Sequence, residues 1–118
     1  MKLFIATFAV CLLPTWAYPL SGSELYDICS ANTSATSPDI CAAYLRGYVD
    51  GSSSEQARSD AGLPQFCFPI GSVSPTQARL IVRKYFQDHP WSLNKDAAFL
   101  VSMALVDAFP CPSTRKSN

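Results

Sequence analysis

The amino-acid sequence predicts an all-α protein, a compact bundle of four main helices stapled by two disulfides. Three observations carry that expectation. Apolar residues recur at steps of three and four in several segments, and no segment sustains the alternation of a strand. Serine- and asparagine-led caps open these segments and prolines close them. Once an export segment at the start is set aside, the cysteine count becomes even.

That segment accounts for part of the apolar content of the 118-residue chain, which is 48% hydrophobic and 15% charged. Lys2 precedes an apolar run from Leu3 to Leu13 relieved only by Thr7, and Pro14 breaks it before Thr15-Trp16-Ala17. A positive start, about ten apolar residues and a small residue at the exit describe a secretory signal, with cleavage expected after Ala17. The run falls short of the roughly 20 apolar residues that span a bilayer, and no later stretch does better, so no membrane span is expected in the mature chain. The expected plan is a signal peptide over 1–17 and one exported domain over 18–118, its helical core covering 21–111. A chain of this size supports one domain with a modest core.

Cys11 leaves with the signal, and Cys29, Cys41, Cys67 and Cys111 remain. An even number of cysteines in an exported chain reads as a disulfide framework, although four cysteines permit three pairings and spacing alone does not choose among them. The favoured arrangement is Cys29–Cys41 with Cys67–Cys111. The first bond would staple a first helix to the start of the second, and the other would clip together the two ends of the C-terminal half. In the loop-entropy model they stabilise by about 3 and about 4 kcal/mol, comparable with the whole net stability of so small a domain. A four-thiolate zinc site fits poorly, because spacings of 12, 26 and 44 contain no close Cys-x-x-Cys pair. No metal and no cofactor are expected.

The formal charge of zero becomes about −1 when Lys2 departs, leaving eight basic residues against nine acidic ones. No basic stripe suggests nucleic acid. Arg79, Arg83 and Lys84 share a helix and read as a solvated face.

Helix punctuation is legible along the chain. Ser21-Gly22-Ser23-Glu24 is a capping box that opens a short helix running to Cys29. A Ser/Thr-rich loop, Ser30 to Ser37, follows. Ser37-Pro38-Asp39 reads as cap, first-turn proline and dipole-favoured acid. The second helix carries Ile40, Ala43, Tyr44, Gly47, Tyr48 and Gly51 as its stripe. Gly51 to Gln65 is polar, and there the helix frays or resumes briefly over Glu55 to Ala61. Phe66-Cys67-Phe68-Pro69 reads as an anchored connector. Ser74-Pro75-Thr76-Gln77 opens the third helix, whose face is Ala78, Ile81, Val82, Tyr85 and Phe86, and Pro90 stops it. Asn94 is expected to cap the fourth helix, with Asp96 in its first turn. Its buried face reads Ala97, Leu100, Val101, Ala104, Leu105, Ala108 and Phe109, and Pro110 ends it. The last two helices form a tight antiparallel pair through 87–93.

Catalytic constellations are hard to assemble. His89, the one histidine, sits in a turn before Pro90, and an even cysteine count leaves no thiol for it to activate. No serine is flanked as Gly-x-Ser-x-Gly. Asp50, Glu55 and Asp60 lie in a polar interval with no apolar setting to raise a pKa, so they read as solvated acids rather than glycosidase carboxylates. No phosphate-binding glycine loop or metal motif appears. The aromatic set Tyr44, Tyr48, Tyr85, Phe86, Phe99 and Phe109 reads as core. Two features point outward instead. Gly47 and Gly51, one turn apart, have the spacing of glycines that let another helix backbone approach, although Gly51 at a helix end reads equally as a stop. Trp91 occupies the rigid turn His89-Pro90-Trp91-Ser92, as an interface anchor or folded back over the helix pair.

Cys41-Ala42-Ala43-Tyr44-Leu45-Arg46-Gly47-Tyr48-Val49-Asp50-Gly51 resembles the cysteine-led helix of the Rap/Tai immunity proteins of type VI secretion systems. Cys67-Phe68-Pro69-Ile70-Gly71-Ser72-Val73-Ser74 resembles that family's Cys-x-Pro-x-Gly-Val connector with one residue inserted before the valine. Val82-Arg83-Lys84-Tyr85-Phe86, His89-Pro90, Ala97-Ala98, Ala104-Leu105 and Ala108-Phe109-Pro110-Cys111 resemble its last two helices. The similarity runs from Cys29 to Cys111, and the sequence departs from the family pattern at a bulky Trp91-Ser92-Leu93 turn and in a Pro112–Asn118 tail. The resemblance implies a helical periplasmic protein, often a homodimer, that binds a cognate effector, in the best-known cases a peptidoglycan amidase whose groove it blocks. Asp88, His89, Trp91 and Asn94 would then form the partner-binding turn, and the protein would not be an enzyme. A small periplasmic acid-stress chaperone is the alternative, one that would rely on carboxylates for its acid trigger.

Overall fold

The computed structural model describes residues 17–31, 39–56, 66–68 and 73–111. The export segment, the Ser37-Pro38 start, Asp60 and the Pro112–Asn118 tail lie outside them. Four helices are present, α1 (Gly22–Ser30), α2 (Ile40–Gln56), α3 (Pro75–Asp88) and α4 (Ala97–Ala108), with a single 3-10 turn at Pro90–Ser92 between the last two. No strand longer than an isolated bridge occurs among the described residues.

The caps show why each helix begins where it does. Ser21 and Glu24 close the expected box on α1: Ser21 Oγ accepts the Glu24 N–H at 3.3 Å, and Glu24 Oε2 accepts the Ser21 N–H at 2.8 Å. These bonds hold the Glu24 carboxyl below its ordinary range, the Ser21 backbone bond most of all. Ser74 Oγ accepts the Gln77 N–H at 3.1 Å, and Pro75 occupies the first turn of α3. Two starts differ from expectation. At α2 the capping acceptor is the Asp39 carboxylate, which takes the Ala42 N–H at 3.0 Å. At α4 the cap position is Asp96 rather than Asn94, and no side chain caps it. The free N–H groups there are met by the chain before α1 instead, with the Ala97 N–H donating to the Leu20 carbonyl at 2.7 Å.

The helices pack around α1 and α3. Each of these touches the three others, and α2 and α4 lie on the two flanks of the pair. Hydrogen bonds fix their directions. The first N–H groups of α1 donate to the turn before α4, and Gln87 near the end of α3 reaches the Tyr26 hydroxyl. At the opposite end Arg79, early in α3, reaches the last carbonyls of α1. α1 and α3 therefore run antiparallel. The core between them holds Leu25, Val82, Phe86, Leu100, Val101 and Leu105, all at most 1% exposed.

Both expected disulfides form. Cys29–Cys41 joins the end of α1 to the start of α2, with Cα atoms 5.0 Å apart. Cys67–Cys111 joins the Phe66–Phe68 segment to the residues after α4, with Cα atoms 4.8 Å apart. The second bond is reinforced by a Cys67 N–H to Phe109 carbonyl bond of 2.8 Å, by a bridge between Phe66 and Pro110, and by ring contacts joining Phe66, Phe68 and Phe109.

The first disulfide also sets the rotation of α2. With Cys41 fully buried against Cys29, the inward line runs Cys41, Leu45, Tyr48, Val49 and Ser52. Ile40, Ala43, Gly47 and Gly51, expected on the packed stripe, face outward, and Tyr44 lies half-buried at the margin. The close approach expected at the two glycines is not made within the chain, since a Cβ at either would meet nothing within 4 Å. Nor does Gly51 end the helix, which continues to Gln56.

Arg79 is a second correction, because it belongs to no solvated face. Its guanidinium donates to the Cys29 carbonyl at 2.9 Å, the Ala31 carbonyl at 2.7 Å and the Asp39 carboxylate at 3.1 Å. One side chain thus ties α3 to both sides of the Cys29–Cys41 corner. Arg83 is half-buried, and its Nε is enclosed without a hydrogen-bond partner among the described residues. Only Lys84 behaves as expected, exposed and paired with Asp88 at 2.8 Å.

Gly22 is the glycine the fold requires. A Cβ there would collide with Leu100 Cδ1 and would lie 3.0 Å from the Leu93 carbonyl oxygen. Leu100 is buried in the core and Leu93 offers backbone, so neither yields easily. Gly22→Ala is expected to lose about 1–2 kcal/mol despite alanine's better helix propensity. Gly47→Ala, in open space, is expected to gain about 0.5–1 kcal/mol. Urea denaturation of both variants checks the contrast. The capping box predicts a pH effect as well. A carboxyl whose folded pKa is lowered stabilises above its unfolded value, near 4.5 here, and that stability is lost as pH falls through the folded value. The deficit of Glu24→Ala relative to the unmodified protein, measured by denaturation from about pH 7 downward, is therefore expected to shrink as the pH falls through the carboxyl's folded value.

Candidate partner-binding surface

The turn between α3 and α4 is built from backbone geometry first. Pro90 cannot continue α3 and pushes the preceding residue out of helical conformation, and His89 takes the cap position with φ −126° and ψ 54°. The His89 carbonyl then accepts twice from Ser92, from the N–H at 3.0 Å and from Oγ at 2.8 Å. The Lys95 N–H returns to the Ser92 carbonyl at 2.9 Å. On the inner side α1 grips the turn, with the Gly22 N–H donating to the Lys95 carbonyl at 2.8 Å and the Ser23 N–H to the Leu93 carbonyl at 2.9 Å. Backbone bonds therefore fix the turn at both ends and from beneath.

Side chains stack on this frame. His89 lies on the Tyr85 ring, centroids 4.1 Å apart and planes 23° apart, and its Nδ1 sits 2.8 Å from the Tyr85 carbonyl. A carbonyl can only accept, so Nδ1 carries a proton and donates it. Trp91 meets the edge of His89 at 5.5 Å and keeps 75% of its surface in solvent, so it does not fold back over the helix pair. Asn94 is exposed on the same turn. Asp88 is exposed but already held by Lys84, an i,i+4 pair of the kind worth about 0.3–0.5 kcal/mol. The structure thus brings His89 and Trp91 into one stack, with Asp88 exposed just before it in the chain and Asn94 exposed just after it.

Two neighbouring features escaped the sequence reading. Phe99 is 49% exposed rather than in the core, and the Lys95 ammonium lies 5.5 Å from its ring centre. The α4 stripe is buried as expected at Ala97, Leu100, Val101, Ala104 and Leu105, and Phe99 lies off that stripe, so its helix position already argued against the core place given to it as one of the aromatics. The second feature is an open cleft of about 320 Å³ between α3 and α4, beside the turn. Leu80, Ile81, Tyr85, Ala104 and Ala108 make its apolar lining, the Lys84–Asp88 pair and Asp107 supply charge, and His89 is shared with the turn. Ala108 is exposed and Ile81 and Tyr85 only half-buried, whereas the stripe pattern placed all three inside. The alanines at 104 and 108, one turn apart opposite larger residues on α3, are the signal that could have found it.

This surface is suited to contact. Its histidine has one nitrogen bonded to backbone and its ring face covered by Tyr85. All four cysteines of the described chain are in disulfides, so no described thiol is available as a nucleophile. Among the described residues no cluster of three His, Cys, Asp or Glu side chains could hold a metal ion. Burial pushes the Tyr44 phenol up, with Tyr48 and Asp96 adding to the effect, and that group lies on α2, away from the cleft lining. No helix of the described residues is long and apolar enough to cross a membrane.

No curated protein and no solved structure matches the chain. The family model described as Rap1a immunity proteins matches residues 21–111, which span the capping box of α1, both disulfides and the whole of the α3–α4 turn. The chain belongs to the Rap1a immunity protein family.

Proposed function

We propose that this protein is a periplasmic immunity protein that binds a cognate type VI secretion effector and blocks it sterically, the effector being a peptidoglycan amidase. Family membership supports the immunity role. Two disulfides, together with the signal-like start of the sequence, support an oxidising compartment outside the cytoplasm.

The single observation that carries the mechanism is Trp91, three-quarters exposed on a turn whose backbone is bonded at both ends and from α1. A tryptophan presented on a rigid element loses little freedom on binding and brings a large apolar area. His89 supports its ring edge-on, and Asp88 and Asn94 add polar contacts at the rim. The turn enters the effector's cleft and the adjacent α3–α4 surface closes over the cleft's margin. Occupying the cleft is sufficient for protection.

Trp91→Ala tests this directly. Its exposure predicts a stability change within about 0.5 kcal/mol. Its role as anchor predicts a loss of about 2–4 kcal/mol in effector binding, or roughly 30- to 1,000-fold in Kd. Calorimetric titration of the purified pair measures the loss, and an amidase assay on peptidoglycan reports whether inhibition is lost with it. Unchanged affinity would remove the turn from the interface.

A further inference from the structure

The two disulfides occupy different environments. Cys29 and Cys41 have no exposed surface at all and belong to the buried core with Leu25 and Leu45. Cys67 is exposed and Cys111 half-buried. Thiol–disulfide exchange begins when a thiolate reaches one of the two sulfurs, so access decides which bond reacts in a folded protein. We propose that Cys67–Cys111 is a site of thiol–disulfide exchange on the native protein, opened by a dithiol while Cys29–Cys41 stays closed.

The chemistry balances with the dithiol as sole reductant. One of its thiolates attacks Sγ of Cys67, the more exposed of the two residues. A mixed disulfide forms there, and Cys111 departs as a thiolate that takes a proton from water. The second thiol of the reagent, deprotonated, attacks its own sulfur in the mixed disulfide. Cys67 leaves as a thiolate and is protonated in turn. Two electrons and two protons pass from the dithiol to the protein, and the reagent ends as its disulfide.

The surroundings keep the opened site together. The 2.8 Å bond from the Cys67 N–H to the Phe109 carbonyl, the Phe66–Pro110 bridge and the ring contacts of Phe68 with Phe66 and Phe109 do not depend on the S–S bond. The separated sulfurs therefore remain neighbours and can re-pair by the reverse exchange, in which the reagent's disulfide takes the two electrons and two protons back. The buried bond has no comparable route. A reagent reaches it only when the core that holds Cys29 and Cys41 with Leu25 and Leu45 opens.

The test uses the oxidised protein in native buffer, exposed in parallel to dithiothreitol and to reduced thioredoxin. Samples are alkylated over time and mapped by mass spectrometry, with helicity followed by circular dichroism. Cys67 and Cys111 are expected to label together, at least about a hundredfold faster than Cys29 and Cys41, since the latter wait for opening of the core. The helical signal is expected to persist while they do. Reaction with dithiothreitol alone identifies small thiols as the source of exchange, and reaction with both extends it to protein dithiols. Simultaneous labelling of all four cysteines, earlier labelling of Cys29 and Cys41, or no labelling without denaturant would overturn the proposal.

Discussion

Three backbone hydrogen bonds at one end of the bundle organise the rest of the molecule. Helix starts leave N–H groups without partners, and two helices, α1 and α4, begin side by side here. α1 places its Gly22 and Ser23 N–H groups on the carbonyls of Lys95 and Leu93, and α4 places its Ala97 N–H on the Leu20 carbonyl. Each helix thereby settles groups that would otherwise need water or a side chain. The exchange demands close approach, which explains the glycine at position 22 and the absence of a side-chain cap on α4. It also fixes the geometry of the candidate surface, because the carbonyls that α1 grips belong to the turn that presents Trp91.

The other end is held by covalent and ionic means. Cys29–Cys41 and the triply bonded Arg79 guanidinium bind α1, α2 and α3 at one corner. Cys67–Cys111 and the phenylalanine cluster hold the chain ends beyond α4. A small domain has little core from which to draw stability, and fastening both ends reduces the states open to the unfolded chain and limits fraying of the folded one. The turn is stiff because its own bonds are short-range and its foundation does not shift.

Features governed by neighbours in sequence were legible before the structure. The Ser21–Glu24 box, the Ser74 cap with Pro75 and the stop at Pro90 each depend on a few adjacent residues, and each forms where expected. The favoured cysteine pairs, one of three arrangements that the spacing left open, are the ones that form. Features set by tertiary contact were misread. The rotation of α2 is imposed by the disulfide, which turns Ile40 and Gly47 outward against their place in the periodic stripe. The start of α4 moved from Asn94 to Asp96 because a distant segment, Leu20, supplies the acceptor. The α4 stripe was read correctly from Ala97 to Leu105, whereas Phe99 was misplaced by grouping it with the core aromatics and the α3–α4 cleft opens where Ala108 is exposed rather than packed. At the site itself the sequence singled out Trp91, and the structure adds that it is exposed and why the turn holds it still.

The proposed mechanism requires a rigid projection at the α3–α4 turn. What makes the projection rigid is the grip of α1, and native-state amide hydrogen exchange measures that grip residue by residue. The Gly22, Ser23 and Ala97 amides are expected to exchange as slowly as amides in the centre of α3 and to share their response to denaturant, the behaviour of bonds broken only by unfolding of the core. Rapid exchange at these three amides, independent of denaturant, would mean that the turn is free of α1 and that its stiffness has been wrongly assigned.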